Sequence, residues 1–250
     1  MIQTRPILAA VLLAGGIATQ APALDVSGMT KTEREAFRAE IRAYLLENPE
    51  VLMEAIEVLE SREAVTQANT DAALVKANYD ALVRDENSWV GGNPDGDITI
   101  IEFLDYRCGF CKRAFPEVEE LVSSDGNIRL IVKEFPILGP QSVLASRFAI
   151  AAKMLEGDDA YKAVHDALIS FRGPISDASL ANVAMDLGFE PAPVLAKMTA
   201  PEVDEVIADN RALAQAMQIT GTPTFVIGGQ MLRGFLPLEG MQALVAEERG

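Results

Sequence analysis

Cysteine is nearly absent from this 250-residue chain: Cys108 and Cys111 are the only two. A disulfide framework is thereby excluded, because bridging so short a loop limits the unfolded chain by only about 2 kcal/mol in the chain-entropy model. One histidine, His165, is present. A structural zinc site needs four ligands, usually cysteine and histidine, and these residues cannot supply them. Basic residues are also scarce, with Lys+Arg 21 against Asp+Glu 37 and a formal net charge of -16. That balance disfavours nucleic acid and anionic membrane surfaces as partners and is read as solubility. No internal repeat and no low-complexity tract is present. Beyond the N-terminal region no run is long and apolar enough for a transmembrane helix.

That region has its own pattern. Arg5 precedes an apolar stretch over residues 7–18, followed by Ala21-Pro22-Ala23, a small-x-small cleavage signature. The stretch is shorter than the roughly 20 residues that span a bilayer. Residues 1–23 are expected to be a secretory signal peptide cleaved after Ala23, which places the mature protein in an oxidising compartment such as a periplasm.

Glycine is missing from residues 30–85 and Pro49 is the one proline there, which favours helix. Phe37, Ile41, Tyr44 and Leu45 share one helix face, and Asn48-Pro49 is expected to end that helix near Glu47 and to cap a second. In the second, Val51, Leu52, Ala55, Ile56 and Leu59 share an arc opposite Glu50, Glu54 and Glu57. Residues 61–84 are weaker, an exposed helix or compliant linker with little to bury. Residues 24–87 are thus expected to form a helical arm and linker whose apolar stripe packs either on the main domain or on another copy of the chain.

From Ser88 the pattern changes. Residues 91–97 are rich in glycine, asparagine and aspartate and read as a hinge, with Trp89 beside it as a packing residue. A strand follows over 98–104, then a helix to about residue 123 that the cysteines open, then a strand over 128–133. Such a crossover implies parallel neighbours in an α/β sheet. Residues 139–219 are helical throughout, an all-α insertion. Strand 224–227, the turn Gly228-Gly229 and strand 231–233 form a hairpin, and a last helix closes the chain.

The order β-α-β, helical insertion, β-β-α, with Cys108-Gly109-Phe110-Cys111 opening the first helix and Thr222-Pro223 before the third strand, resembles the thioredoxin fold in its DsbA-like form. Residues 102–113 and the run Lys133-Glu134-Phe135-Pro136-Ile137-Leu138-Gly139-Pro140 resemble that group specifically. The resemblance covers residues 88–250. The arm over residues 37–59 resembles the N-terminal oligomerisation segment of ScsC-like relatives of the disulfide isomerases, which implies self-association, with a trimer favoured.

The resemblance implies a thiol:disulfide interchange enzyme without cofactor or resident metal. Cys108, at a helix N-terminus, would be the nucleophile, because unpaired amides and the helix dipole favour its thiolate. Cys111 would resolve the mixed disulfide. Glu102 corresponds to a buried acid that exchanges protons with the second cysteine; the alternative is a side chain in solvent at a strand edge. Thr222 and cis Pro223 would bind substrate backbone. Partners implied are exported cysteine-containing proteins and a membrane redox partner.

Isomerase or reductase is the first expectation, since Gly109-Phe110 lacks the histidine of strong oxidants. The alternatives are a dithiol oxidase, with Arg107 stabilising the Cys108 thiolate, and a Cu(I)-binding protein, because two thiolates suit that soft ion. His165 is expected to be an ordinary packed or surface residue, and Lys133 and Glu134 a surface or strand-end charge pair.

Overall fold

A computed structural model describes residues 27–250, and the expected signal peptide with its cleavage after Ala23 lies outside them. The chain divides into two units between Glu60 and Ser61. In the first, α1 (Lys31–Glu47) starts at a capping box that the sequence reading missed. The Glu33 amide donates to Thr30 Oγ1 at 3.3 Å while the Thr30 amide donates to Glu33 Oε2 at 2.8 Å. Asn48 ends this helix by donating Nδ2 to the Tyr44 carbonyl at 2.9 Å, and α2 (Glu50–Ala77) begins in this unit and ends in the next. No residue of α1 is buried, and Phe37, Ile41, Tyr44, Leu52, Ile56 and Leu59 are exposed. No described helix is long and apolar enough to cross a membrane.

The second unit is built on a five-stranded sheet of order β1-β3-β2-β4-β5. Its strands are β1 (Trp89–Gly92), β2 (Ile98–Leu104), β3 (Ile128–Glu134), β4 (Thr224–Ile227) and β5 (Gln230–Arg233). Strands β2 and β3 are parallel, as the crossover through α4 (Gly109–Asp125) requires, and the other pairings are antiparallel. The insertion supplies α5 (Pro140–Glu156), α6 (Asp158–Ser170), α7 (Asp177–Asp186), α8 (Pro191–Lys197) and α9 (Pro201–Ala216), and α10 (Leu238–Arg249) ends the fold.

Strand alternation sorts the core into two layers. Ile98, Ile100, Leu104, Ile128, Leu130, Val132, Phe225 and Ile227 join α4 and the insertion in one cluster. Ile101, Phe103, Ile131 and Val226 face the other way, onto Leu213 and Ala214 of α9 and Met217 at its C-cap.

Three expectations are corrected. The first two residues read as a hinge, Gly91 and Gly92, end the edge strand β1, in which Trp89 pairs with Val132 and Gly92 with Arg129. Its glycines are required: a Cβ on Gly91 would lie 2.0 Å from the Trp89 ring, and Gly92 has φ +69 with the Ile128 carbonyl 2.3 Å from its Cβ position.

Residues 61–70 are exposed, as expected, but the stretch over 71–84 buries Asp71, Val75 and Leu82. Val75 and Leu82, the latter on α3 (Tyr79–Val83), enter the Phe103 cluster. Asp71 is buried and takes both Arg233 Nη2, at 2.7 Å, and Nε, at 3.2 Å.

Lys133 and Glu134 are neither a surface pair nor partners. Both are buried, and as neighbours on a strand they point to opposite faces. Lys133 Nζ reaches Asp85 Oδ2 at 2.5 Å, with burial holding the lysine below its ordinary pKa. Glu134 Oε1 accepts from Tyr106 at 2.7 Å and Tyr161 at 2.6 Å, and Oε2 from Ser146 at 2.7 Å. Burial still raises its pKa to about 7.

His165 packs in the core beside this cluster. It stacks on Tyr161 at 5.9 Å and Trp89 at 6.5 Å between centroids, with Phe115 edge-on at 5.6 Å. Burial lowers its pKa to about 3, so the ring is neutral. Its Nδ1 lies 3.2 Å from the Tyr106 oxygen. Because Tyr106 gives its own proton to Glu134, the contact assigns the imidazole proton to Nδ1.

Replacing Glu134 by Ala strands three buried hydroxyls and opens a cavity, and the expected loss of stability is about 3–5 kcal/mol in urea unfolding. Glu134→Gln, which keeps an acceptor, is expected to cost less.

Candidate active site

β2 ends at Leu104, and four residues carry the chain from the sheet to the start of α4. Asp105 shapes this link. Its carboxylate is wholly buried and accepts from the amides of Arg107 at 2.7 Å, Ile137 at 2.8 Å and Leu138 at 2.9 Å. One side chain therefore ties the loop after β3 to the segment that presents the cysteines. The Asp105 carbonyl also takes the Cys108 amide at 2.9 Å, so Cys108 is held at both its backbone and its flank.

Cys108 is the N-cap of α4, a position that serine, threonine or aspartate usually fills because the helix opens with unpaired amides. Here sulfur accepts instead, taking the Cys111 amide at 3.3 Å. As a thiol it donates to the Thr222 carbonyl at 3.1 Å. The Thr222-Pro223 bond is cis, as the resemblance implied. Both cysteines are free thiols.

One helical turn separates two opposite electrostatic situations. Hydrogen bonding from Cys111 outweighs partial burial and lowers the Cys108 pKa to about 5. Cys111 is completely buried, and burial, followed by its bond to Cys108 and the nearby Glu102 charge, pushes its thiol far above the ordinary range. Glu102 shares the Ile100 and Leu104 face of β2, under α4, rather than a solvent edge. Burial first, and the charge of Cys108 second, raise it to about 8.

The structure therefore brings together Cys108, Cys111, Glu102, Thr222 and Pro223, all named from sequence. Arg107 does not join them: its guanidinium is bonded to the Gly173 carbonyl at 2.8 Å. Asp105 and the Tyr106–Glu134 contact were missed. An aspartate directly after an apolar strand, three residues before a helix-opening cysteine, is the signal that could have found the first. The second joins residues 28 apart, and no local pattern marks it.

The family described as the DSBA-like thioredoxin domain matches residues 99–246. The chain belongs to this DsbA-like family. Residues 33–64 match a second description, the copper resistance protein ScsC N-terminal domain.

Among solved structures, a thioredoxin-like oxidoreductase from Silicibacter pomeroyi is 39% identical, covering 68% of this chain and 96% of that one with a TM-score of 0.64. BcfH of Salmonella enterica Typhimurium is 25% identical over 88% of this chain and 97% of its own, with a TM-score of 0.73. The thiol-disulfide exchange protein alpha-DsbA2 of Wolbachia pipientis is 26% identical over 73% and 97%, with a TM-score of 0.68.

The Na(+)/H(+) antiporter NhaA 1 of Salinispora arenicola is also similar, 28% identical over 159 residues that make up 62% of this chain. The match takes in 24% of that antiporter, so the DsbA-like chain spans about a quarter of the length of the curated relatives it matches.

The pH at which Cys108 becomes reactive is open to direct measurement. The rate of iodoacetamide alkylation of the reduced protein is expected to rise with pH through a midpoint near about 5, several units below a free cysteine, while Cys111 stays unmodified.

Proposed function

We propose that this protein exchanges disulfides with exported, cysteine-containing proteins, acting first as an isomerase or reductase. The observation that carries the reading is the pairing of an N-cap thiolate, Cys108, with a buried thiol one turn along the same helix. The Cys108 thiolate attacks one sulfur of a substrate disulfide; the substrate S–S bond breaks, a mixed disulfide forms, and the other substrate sulfur leaves as thiolate. In isomerisation a second substrate thiolate attacks the mixed disulfide and returns Cys108 unchanged. In reduction Cys111 attacks Cys108 Sγ, the substrate leaves as thiolate, and the Cys108–Cys111 disulfide remains.

Resolution requires the Cys111 proton to go somewhere in a buried site. Glu102 is near enough for its charge to act on Cys111 and is the acceptor in this reading. Its raised pKa sets the sign: below about 8 it holds a proton and cannot take another, and above that it can. Thr222, its carbonyl already turned to Cys108, offers backbone bonds to the substrate beside Pro223.

The direction of exchange follows from how far the thiolate is stabilised, because a more stable reduced form makes a more oxidising disulfide. A Cys108 pKa of about 5 falls between thioredoxin, about 7, and DsbA, about 3.5. That position fits isomerase and oxidase alike, so the preference for isomerase rests on Gly109-Phe110, which lacks the histidine of strong oxidants, and the oxidase stays the second reading. The Cu(I) reading is weaker, since a dithiolate site would have to strip the proton from buried Cys111.

The arm carries the quaternary part of the proposal. Its exposed apolar residues and the match over 33–64 support self-association, with a trimer favoured. A periplasmic location with residues 1–23 removed, and a membrane partner that resets the dithiol, complete the reading.

Alkylation trapping in cells tests the direction: a mostly reduced dithiol is expected, and a mostly oxidised one would replace isomerase by oxidase. Glu102→Gln is expected to slow release of the mixed disulfide and to abolish its acceleration with pH through about 8, while attack by Cys108 persists. Light scattering of the mature chain and of a form lacking residues 24–60 is expected to give an oligomer and a monomer.

A further inference from the structure

Four cations lie together beside the start of α4, the helix that Cys108 caps, in a chain whose acidic residues outnumber its basic ones 37 to 21. Arg107 precedes the cysteine, Lys112 and Arg113 are the fourth and fifth residues of α4, and Arg172 comes from the loop between α6 and α7. Two of them hold that loop in place. Arg107 Nη1 donates to the Gly173 carbonyl at 2.8 Å and Lys112 Nζ to the Phe171 carbonyl at 2.5 Å, so Arg172 is carried in between. Arg113 lies over the Phe110 ring, 4.6 Å from its centroid.

Arg107, Arg113 and Arg172 are exposed and Lys112 is half-buried. Among the described residues none of the four forms an ion pair, a state they share with Arg129 and Arg211, which also bond backbone carbonyls; what sets the four apart is that they lie together. Their mutual repulsion is felt locally: burial, then Arg107 and Arg172, hold the Lys112 ammonium below its ordinary pKa. The partners of Arg107 and Lys112 here are neutral carbonyls, so these bonds leave the charge of both cations in place.

We propose that this cationic rim selects substrate segments that carry aspartate or glutamate beside the reacting cysteine. The inference rests on the proposed exchange activity of Cys108 and adds the class of protein segment it acts on. The chain as a whole carries a formal net charge of -16 and repels such segments, so a local cluster of cations is where they are drawn in. Its reach is about 10 Å at 0.1 M salt, enough to cover the residues on either side of a bound cysteine. Charge complementarity of this kind acts chiefly on the rate of encounter and on which partner is accepted.

The test uses the full reduced chain and three disulfide-bonded peptides of one length, with glutamate, serine or lysine flanking their cysteines. Stopped-flow exchange is measured at low salt and at about 0.5 M salt. The glutamate peptide is expected to react roughly tenfold faster than the serine peptide at low salt and the lysine peptide more slowly, with the differences collapsing at high salt. Arg172→Glu is expected to cut the glutamate-to-serine ratio to near one, and Arg172→Gln to lower it part of the way. Equal rates for the three peptides, or a preference that salt does not change, overturn the inference and leave exchange at Cys108 standing. If no peptide reacts, exchange itself is overturned and the inference falls with it.

Discussion

At the start of α4 the first amides have no carbonyl behind them to accept their protons, and the site depends on how that demand is met. Sulfur meets it, at Cys108. The same helix then carries Cys111 one turn inward, beyond the reach of water. Two chemically identical side chains thus end with opposite preferences for the proton. Glu102 beneath them is the third term: a carboxylate with no cation to offset its burial, and so a group with room to accept a proton. The asymmetry is a property of the strand–helix junction, and Asp105 fixes that junction by gathering three amides onto one carboxylate.

Much of this was legible in the sequence. Strand alternation and helix periodicity located β2, β3, the hairpin, the insertion and the arm, because those segments are long enough for pattern to outweigh local accident. The spacing of Cys108 and Cys111, with a strand before and a helix after, located the site. Glu102 could be placed under α4 only once the register of β2 was known, since an alternation counted one residue differently would send it to the other face.

What stayed hidden has a common physical origin. β1 is four residues of which two are glycines, and the glycines are there because the Trp89 ring and the Ile128 carbonyl fill the space of a Cβ. Read locally they spell a turn. The polar core is similar: Glu134, Tyr106, Ser146, Tyr161 and His165 come from separate elements, and each looks unremarked in its own segment. Their agreement is tertiary. The insertion is bound to the sheet through hydroxyls aimed at a carboxylate as well as through apolar packing, and the segment carrying Tyr106 leads directly to Cys108.

Lys133 and Glu134 carry a last consequence. Each has a counterpart on its own side of the sheet, Asp85 on one and three hydroxyls on the other. A slip of β3 by one residue would set an ammonium against hydroxyl hydrogens and a carboxylate against Asp85, with both charges in the dry interior. Apolar strands can slide and still bury their residues, but this dipeptide makes a misaligned pairing electrostatically untenable on both faces at once. It acts as a proofreading mark in the strand, and the β2–β3 pairing it guards is the one that carries Glu102 beneath the cysteines.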